Sequence, residues 1–299
     1  MSGVIAVAGS TGYIGGLLCR HLCEEDREVR ALARHPERAE ALKQAGCEVV
    51  RADVLEPETL GPALEGVDVA YYLVHSMGRG ADGDFAERDH EGAENFARAA
   101  AAAGVKRIVY LGGLGEGSKH LDSRHATAET LRQGEVPVTY FRAAAVIGAG
   151  SESFRTTFYL VRRLPLMITP RWVVTRTQPI AVADAIAFLA AAADLDVEVD
   201  REVEIGGPDV TTYGGMIDEL ARALGRHPPR RITVPLLTPW LSSLWIGLVT
   251  PVDVGVARPL IEGLATETTV SDPSGMELFD IELTPLRPAL RKAAESTDR

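Results

Sequence analysis

The segment that most constrains the fold is VIAVAGSTGYIGGLL, residues 4–18. Its apolar run Val4–Ala8 predicts a buried strand, a turn with three glycines follows, and a helical pattern comes next. Glycines let the backbone approach a pyrophosphate closely, and a helix N-terminus presents N–H groups to phosphates. The segment therefore predicts a dinucleotide site, against the alternative of a glycine-rich turn without a ligand. Its predicted contacts are Gly9, Ser10, Thr11, Gly12, Tyr13, Ile14 and Gly15.

Short apolar runs alternate with helical patterns through the first half of the chain, which predicts a parallel sheet covered by helices on both faces. The predicted strands are Val4–Ala8, Glu28–Ala33, Glu48–Arg51, Val69–Val74, Arg107–Leu111 and Val138–Arg142. The predicted helices between them are Ile14–Cys23, Pro36–Ala45, Glu56–Leu64, Phe85–Ala103 and Ser123–Gln133. This is an α/β fold, a Rossmann doubly wound sheet.

After residue 150 the alternation changes, which predicts a smaller C-terminal substrate lobe within one compact unit. We expect the nucleotide-binding core at about 1–150 plus 178–207, and the lobe at about 151–177 and 208–299, with a cleft between them. Expected lobe elements are a helix ended by Pro165, an extended connection over TPRWVVTRTQPIAV, and a helix at Ala181–Ala193. A strand at Glu202–Ile205 and helices at Tyr213–Leu224 and near Pro288–Glu295 follow.

Composition narrows the class of protein. A net charge of −11 without a basic stripe argues against nucleic acid as a partner and favours a small-molecule substrate. Three cysteines, with Cys19 and Cys23 on one predicted helix, give no disulfide framework, so we expect buried thiols and a reducing cytoplasm. No signal peptide is expected before Val4, no metal cluster is indicated, and the oligomeric state stays open. The apolar segment Trp240–Thr250 is too short to span a membrane.

The residues after the second strand select the cofactor. A carboxylate there binds the ribose 2′-hydroxyl of NAD, whereas an arginine accommodates the 2′-phosphate of NADP. The sequence ARHPER supplies Arg34 and Arg38, with no carboxylate before Glu37. A guanidinium suits a phosphate dianion. NADP(H) is therefore favoured over NAD(H), against the alternative that Arg34 is a solvated side chain.

Two further strand ends supply candidate contacts. Asp53 and Val54 follow the third strand, where they would meet the adenine; the alternative for Asp53 is an N-cap of the Glu56–Leu64 helix. Val74 and His75 end the fourth strand, and ligands bind outside the carboxyl ends of such strands. His75 would donate to a ribose or phosphate oxygen, unless it is merely structural or exposed.

These motifs resemble the short-chain dehydrogenase/reductase superfamily in its extended and atypical branches. The segments that carry the resemblance are AGSTGYIGG, ARHPER, ADVLEP, YYLVHSM, GVKRIVYLGGLG and YFRAAAVIGAGS. The chain is most similar to an atypical NAD(P)H-binding subgroup that includes YbjT-like bacterial proteins, and more distantly to NmrA-type redox sensors and NDUFA-type accessory subunits of respiratory complex I. The resemblance implies a Rossmann core, a bound nicotinamide dinucleotide and a substrate lobe.

The resemblance also shows that the standard catalytic residues are missing. Active members carry a serine after the fifth strand and then Tyr-x-x-x-Lys on the next helix, where the lysine lowers the pKa of the tyrosine that transfers the proton. Here the serine positions are Gly112 and Gly113, and Leu121 takes the tyrosine position. His125 takes the lysine position, or Arg124 if the register slips by one.

Polar side chains near this helix are candidate replacements: His120, Arg124 and His125. A histidine transfers protons near neutral pH, and an arginine holds a phosphate or carboxylate. The alternative is a solvated helix start with Asp122 or Ser123 as its N-cap. A hydride also transfers without a side-chain acid if water or a ribose hydroxyl relays the proton.

The rest of the predicted site comes from the sixth strand and the lobe. Arg142 and Ala143, together with Gly112, are expected at the nicotinamide end of the cofactor. Trp172, Arg176 and Gln178 are expected to contact a planar or anionic substrate, with core packing as the alternative for Trp172. Two functions remain open: an oxidoreductase acting on an apolar carbonyl or quinone without Tyr-x-x-x-Lys, and a non-catalytic NADP(H)-binding sensor or accessory subunit.

Overall fold

The computed structural model describes residues 3–75, 85–195, 199–234 and 265–297. Its central feature is a seven-stranded parallel sheet in the order β3-β2-β1-β4-β5-β6-β11. The strands are β1 (Val4–Ala8), β2 (Val29–Ala33), β3 (Glu48–Arg51), β4 (Val67–Tyr72), β5 (Arg107–Gly113), β6 (Val138–Ala143) and β11 (Arg201–Ile205). This order is that of a doubly wound nucleotide-binding sheet with one added strand, so the predicted fold class is confirmed.

The central strand β1 lies at the point where the strand order reverses. From β1 the chain winds outward through β2 to β3 and then returns to β4 on the other side of β1. Residues 5–8 are buried, as expected of a strand covered on both faces. Loops at such a switch point diverge and leave a crevice at the carboxyl ends of the strands. The glycine-rich turn after β1 opens at that edge.

Of the five helices predicted in the first half, two agree with the structure to within two residues, and the other three begin four residues away from the predicted start. Those of the first half are α1 (Tyr13–Glu24), α2 (Glu40–Gln44), α3 (Leu60–Leu64), α4 (Phe85–Ala102) and α5 (Lys119–Arg132). Helices α2 and α3 are shorter than predicted because 3₁₀ turns at Pro36–Arg38 and Pro57–Thr59 come before them. Each turn begins at a proline, and the non-helical Ala39 separates the first turn from α2.

The start of α5 corrects one prediction. The helix begins at Lys119, four residues before the predicted Ser123. The Ser118 hydroxyl accepts a hydrogen bond from the Leu121 N–H at 3.2 Å, so Ser118 is the N-cap. The Asp122 carboxylate instead accepts the Gly117 N–H at 3.3 Å. The interpretation of Asp122 or Ser123 as N-cap is therefore wrong.

The chain divides into two compact units. Unit 1 consists of residues 1–112, 123–142 and 186–203, and unit 2 of residues 113–122, 143–185 and 204–299. The core of unit 1 packs helix residues such as Phe96 and Leu131 against sheet residues such as Ile108 and Tyr140. The assignment of residues 1–150 and 178–207 to a nucleotide-binding core, and of residues 151–177 and 208–299 to a substrate lobe, stays a prediction.

Unit 2 is built from helices and short two-stranded sheets. Its elements are β7 (Val146–Ile147), α6 (Glu152–Arg163), β8 (Leu166–Thr169), β9 (Arg176–Thr177), β10 (Ile180–Ala181), β12 (Thr211–Thr212), α8 (Tyr213–Ala223), β13 (Arg230–Thr233) and α9 (Leu286–Thr297). Helix α7 (Val182–Ala191) follows β10. The buried core includes Phe154, Phe158, Leu220 and Leu290. The connection predicted as extended contains a 3₁₀ turn at Arg171–Val174 before β9.

Within the described residues, no helix has both the length and the apolarity to cross a bilayer. The apolar segment Trp240–Thr250 lies outside the described residues.

Candidate dinucleotide-binding site

In the turn after β1, Gly9 and Gly15 are required by close backbone contacts within the fold. Gly9 has φ = +84°, and a Cβ there would lie 2.5 Å from the carbonyl oxygen of Leu73. A Cβ on Gly15 would lie 2.3 Å from the Gly9 carbonyl oxygen. The left-handed conformation of Gly9 and the close backbone contacts at both positions exclude larger residues there. These two glycines set the tight strand–turn–helix geometry.

Gly12 differs, because its backbone conformation suits any residue. It has φ = −80° and ψ = 172°, it is exposed, and a Cβ would meet only the Gly9 oxygen, at 3.1 Å. Gly12 is also the N-cap of α1 and brings no side chain to that helix end. The first turn of a helix leaves N–H groups without intrahelical acceptors, and these attract phosphates. A bare backbone at Gly12 leaves that helix end open.

The turn residues between the glycines have different roles. Ser10 is fully buried, and its hydroxyl donates to the carbonyl oxygen of Leu32 at 2.8 Å. This bond fastens the turn to the end of β2. Thr11 is exposed and lines the cavity described below, whereas Tyr13 and Ile14 are partly buried and are not in its lining. Ser10 is thus placed inside the fold, where the sequence analysis expected a ligand contact.

Replacing Ser10 by alanine is expected to lower the free energy of unfolding by about 1–3 kcal/mol, because the buried Leu32 carbonyl loses its partner. Thr11→Ala is the matched control: it removes an exposed hydroxyl one residue away and should change stability by less than about 0.5 kcal/mol. Urea unfolding of both variants measures the difference. Equal stabilities would contradict the assigned role.

A cavity of about 270 Å³ opens at the carboxyl ends of β1 to β4, all within unit 1. It brings together most of the predicted cofactor contacts. Those that line it are Gly9, Thr11, Gly12, Arg34, Asp53, Val54, Val74 and His75. Four loops from separate parts of the sequence therefore converge on one concave site, which is the usual location of a nucleotide in this type of sheet.

Two arginines follow β2 at the edge of this cavity. Arg34 lines it and is exposed, and Arg38 lies one turn further along the chain. Among the residues that the structure describes, neither guanidinium has an ion-pair partner. The nearest carboxylate in sequence, Glu37, lies 3.4 Å from the His35 ring instead. The end of β2 thus presents positive charge to the cavity.

Asp53 lies in the loop after β3 and shapes the cavity wall. One carboxylate oxygen accepts the Leu55 N–H at 3.0 Å, and the Asp53 N–H donates to the Thr59 hydroxyl at 3.0 Å. Because α3 begins at Leu60 and follows Thr59, Asp53 does not cap it. The N-cap interpretation is therefore wrong. Its carboxylate closes a local turn and borders the cavity.

Helix α4 contributes two cavity residues that the sequence analysis missed, Arg88 and Asp89. The helix approaches closely because Gly92 has no side chain: a Cβ there would lie 2.8 Å from Val54 Cγ2 and 3.1 Å from the Tyr72 hydroxyl. Arg88 is four residues before Gly92 and so shares its helix face. A glycine inside an otherwise helical pattern was the sequence signal for this close approach.

At the end of β5, Gly112 lies next to Tyr140 of the neighbouring strand β6. A Cβ on Gly112 would lie 2.6 Å from the Tyr140 hydroxyl oxygen, so the glycine makes room for that hydroxyl. The same oxygen lies 2.9 Å from Nδ1 of the partly buried His125. The expected tyrosine position, Leu121, is buried. Tyr140 was missed in the sequence because it lies on β6, fifteen residues beyond His125.

Burial keeps the Tyr140 hydroxyl protonated. Its ring stacks on Tyr110 with centroids 5.3 Å apart, and Tyr110 in turn lies 6.1 Å from Tyr72. Removal from water raises the pKa of the Tyr140 phenol well above its usual value. The Arg124 guanidinium donates to the Leu111 carbonyl at 3.1 Å, and its charge partly offsets the effect of burial on the pKa of Tyr140.

The other predicted site residues make contacts inside their own units. Arg142 of β6 pairs with Glu202 of β11 at 2.9 Å, and Arg176 pairs with Glu267 at 2.9 Å. Ala143, at the end of β6, is buried, and His120 is partly buried near the start of α5. Ligand contact by these four remains a prediction.

Gln178 has a structural role in unit 2. Its amide nitrogen donates to the Gly207 carbonyl at 2.8 Å, and its amide oxygen accepts the Val270 N–H at 3.0 Å. Both ends of the amide therefore join backbone segments distant in sequence. The side chain of Trp172 lies outside the described residues. In the part of the chain that the structure describes, no cluster of three or more histidine, cysteine or acidic residues is arranged to bind a metal.

Comparison with known proteins supports the nucleotide site. Residues 9–150 match a family model described as NAD(P)H-binding. This range covers the glycine-rich turn, Arg34, Asp53, His75, and the Tyr140–His125 pair.

Three curated relatives are similar to parts or most of the chain. Photosystem II assembly factor Ycf39 of Synechocystis is 33% identical over 36% of this chain and 32% of its own length. A mitochondrial NADH dehydrogenase 1 alpha subcomplex subunit 9 of Arabidopsis thaliana is 24% identical over 95% of this chain and 75% of its own. Ceramide reductase of Caulobacter vibrioides is 26% identical over 87% of this chain and 84% of its own. The chain spans only about a third of the first of these proteins.

Solved structures share the fold along almost the whole chain. Triphenylmethane reductase of Citrobacter sp. complexed with NADP(H) superposes with a TM-score of 0.76, at 21% identity, over 97% of this chain and 99% of its own. NADPH-dependent quinone oxidoreductase of Escherichia coli complexed with NADPH gives 0.76 at 21% identity, over 96% and 98%.

Proposed function

We propose that this chain is an NADP(H)-dependent oxidoreductase, and the match of residues 9–150 to a family model described as NAD(P)H-binding supports the proposal. The observation that carries the proposal is the cavity at the carboxyl ends of β1 to β4, with Arg34 on its wall. Bound NADPH would supply a hydride. The chain's own residues bind and orient the dinucleotide and hold the proton that accompanies hydride transfer.

Different cavity residues bind different groups of the dinucleotide. The Gly12 backbone and the start of α1 take the pyrophosphate, because the helix end offers N–H donors and a partial positive charge. Arg34, with Arg38 beside it, takes the 2′-phosphate through charge-assisted hydrogen bonds. Asp53 and the apolar Val54 border the adenosine. The two arginines therefore favour NADP(H), and NAD(H) is expected to bind more weakly.

The substrate class rests on the relatives. Ceramide reductase, triphenylmethane reductase and quinone oxidoreductase are names of enzymes that act on bulky, largely apolar acceptors. The apolar sequence WLSSLWIGL, residues 240–248, offers side chains of matching character. We therefore propose an apolar carbonyl or quinone as the substrate of this chain.

The Tyr140–His125 pair is the proposed source of the proton. Its two side chains come from β6 and α5 and meet at 2.9 Å, beside the Gly112 position at which related enzymes carry serine. His125 is partly buried and within reach of water, so it can deliver a proton and recover it from solvent. The Tyr140 hydroxyl fixes the orientation of the imidazole and is a positioning group. The pair replaces the missing Tyr-x-x-x-Lys.

The test of the proposal is turnover. NADPH absorbance at 340 nm should fall when the full chain is mixed with NADPH and a panel of quinones, enones and aromatic aldehydes. NADH at the same concentration should support a lower rate. Tight NADPH binding with no turnover on any acceptor would exclude the oxidoreductase function and leave the binding role.

Tyr140→Phe is expected to lower kcat by up to roughly 100-fold, because the His125 imidazole that acts as general acid loses the hydroxyl that orients it, and to leave the NADPH Kd unchanged. Tyr110→Phe is the matched control, since its ring is buried in the same stack while its hydroxyl has Thr127 and Arg124 as partners. Steady-state kinetics and cofactor titration of both variants measure the effect. Equal kcat in wild type and Tyr140→Phe would remove the pair from the mechanism.

The alternative function is a non-catalytic NADP(H)-binding sensor or accessory subunit. Buried Leu121 at the expected tyrosine position favours it, because the standard acid is absent there. The names of two relatives, an assembly factor and a respiratory complex subunit, point the same way. The acceptor panel separates the two functions, since a sensor binds NADPH without consuming it.

A further inference from the structure

All three cysteines of the chain meet in one cluster in unit 1. Cys19 and Cys23 lie one turn apart on α1, and Cys47 lies directly before β3. The sulfur atoms of Cys23 and Cys47 are 3.2 Å apart, and the Cys47 sulfur lies 3.9 Å from the Cys19 carbonyl oxygen. The sequence predicted buried thiols without a disulfide framework. In the structure, the sulfur atoms of Cys23 and Cys47 are in direct contact.

The cluster is reachable by small molecules from one side. Cys19 has no exposed surface and Cys47 is 4% exposed, whereas Cys23 is partly exposed. Helix α1 begins at the dinucleotide cavity and ends at Glu24, so the cluster lies at the opposite end of that helix. An oxidant therefore approaches the cluster on the Cys23 side, without passing the cofactor.

The surroundings make one thiol reactive. Hydrogen bonds from Cys19 and Cys23, with the charge of Arg20, lower the pKa of Cys47 to about 6, although burial opposes them. Burial and the contact with Cys47 raise the pKa of Cys23. A thiolate with a thiol beside it is the arrangement in which oxidation gives a disulfide rather than a single modified sulfur.

We propose that Cys23 and Cys47 are a peroxide-oxidisable pair that forms a reversible disulfide between α1 and the start of β3. The Cys19 carbonyl oxygen accepts a hydrogen bond from the Cys47 thiol at 3.9 Å and holds that sulfur in place. A disulfide needs about 2.05 Å between sulfurs, so the two atoms must approach by about 1.2 Å from their present separation. Rotation about the two Cα–Cβ bonds provides a movement of that size.

The reaction balances with hydrogen peroxide as the oxidant. The Cys47 thiolate attacks one peroxide oxygen, the O–O bond breaks, and hydroxide leaves and is protonated to water. The Cys47 sulfenic acid is then attacked by the Cys23 sulfur, the S–S bond forms, the S–O bond breaks, and the Cys23 proton joins the departing hydroxide as a second water. Two thiols are oxidised and one peroxide is reduced to two waters. An external dithiol reverses the step.

The experiment counts thiols in the full-length chain. Reduced protein should show three reactive thiols after denaturation, and protein treated with a slight excess of hydrogen peroxide should show one. Peptide mapping should find Cys23 joined to Cys47, and dithiothreitol should restore all three thiols. The rate of oxidation should fall as the pH drops through about 6, because the Cys47 thiolate is then protonated.

Three variants decide the assignment. Cys23→Ser and Cys47→Ser should each lose the cross-link, whereas Cys19→Ser should keep it. Cys23→Ser changes a partly exposed side chain, so it stays informative if Cys47→Ser does not fold. A cross-link that involves Cys19, irreversible oxidation of all three thiols, or no reaction with peroxide would each overturn the proposal. NADPH affinity should be equal in both redox forms, so this test stands apart from the proposed function.

Discussion

Replacing Gly12 by valine is expected to abolish tight NADPH binding and to leave the fold intact. Its φ and ψ suit a β-branched residue, and only one backbone oxygen lies near the new Cβ. The branched side chain would stand at the open end of α1, where the pyrophosphate must contact N–H groups. We expect Kd to rise at least about 100-fold, equivalent to about 2.7 kcal/mol. Fluorescence titration of bound NADPH measures the loss.

Gly15→Val is the contrasting variant. Its Cβ would lie 2.3 Å from the Gly9 carbonyl oxygen, so it should lose the fold together with the binding. Circular dichroism and thermal unfolding separate the two cases. If Gly12→Val binds NADPH as tightly as wild type while it is folded, then the pyrophosphate is not held at this turn.

Arg34→Glu is expected to reverse the preference between cofactors. A carboxylate at the end of β2 repels the 2′-phosphate of NADPH and accepts a hydrogen bond from the 2′-hydroxyl of NADH. One lost charge-assisted hydrogen bond costs about 1.5–3 kcal/mol, so NADPH affinity should fall by roughly 10- to 150-fold. NADH affinity should rise. Parallel titrations with both cofactors measure the change in their ratio.

A surface arginine elsewhere controls for net charge. Arg98→Glu makes the same charge change on α4 at a position that does not line the cavity. It should alter both affinities equally and slightly, an effect that added salt screens. If Arg34→Glu leaves the NADPH to NADH ratio unchanged, NADP(H) selectivity lies elsewhere in the chain.

Local pattern was enough for the sheet and for the residues attached to its edge. Apolar runs such as Val4–Ala8 and Glu48–Arg51 agree with the observed strands residue by residue. Because the alternating pattern predicts parallel strands, the positions that follow each strand are expected at the same edge of the sheet. That is why Arg34, Asp53 and His75 line a common cavity, although they are distant in sequence.

Contacts between non-adjacent segments were not predictable in the same way. Ser10 is in the expected motif, yet its side chain direction follows from the Leu32 carbonyl on another strand. Tyr140 looks like an ordinary strand residue until α5 places His125 beside it. Arg88 lines the cavity only because α4 packs closely against its neighbours at Gly92, and the sequence pattern does not give that distance. The contacts of these three side chains depend on packing distances between segments, which cannot be read from the periodicity of the sequence.

The close seating of α4 at Gly92 makes cofactor affinity adjustable from outside the binding surface. A methyl group there would lie 2.8 Å from Val54 Cγ2 and 3.1 Å from the Tyr72 hydroxyl, so either the Val54 side chain or α4, which carries Arg88, has to shift. Because Arg88 and Val54 both line the cavity, either shift changes a wall of the site. Position 92 thus acts as a spacer. A substitution at position 92 would therefore change the affinity for a nucleotide, although every residue that lines the cavity keeps its identity.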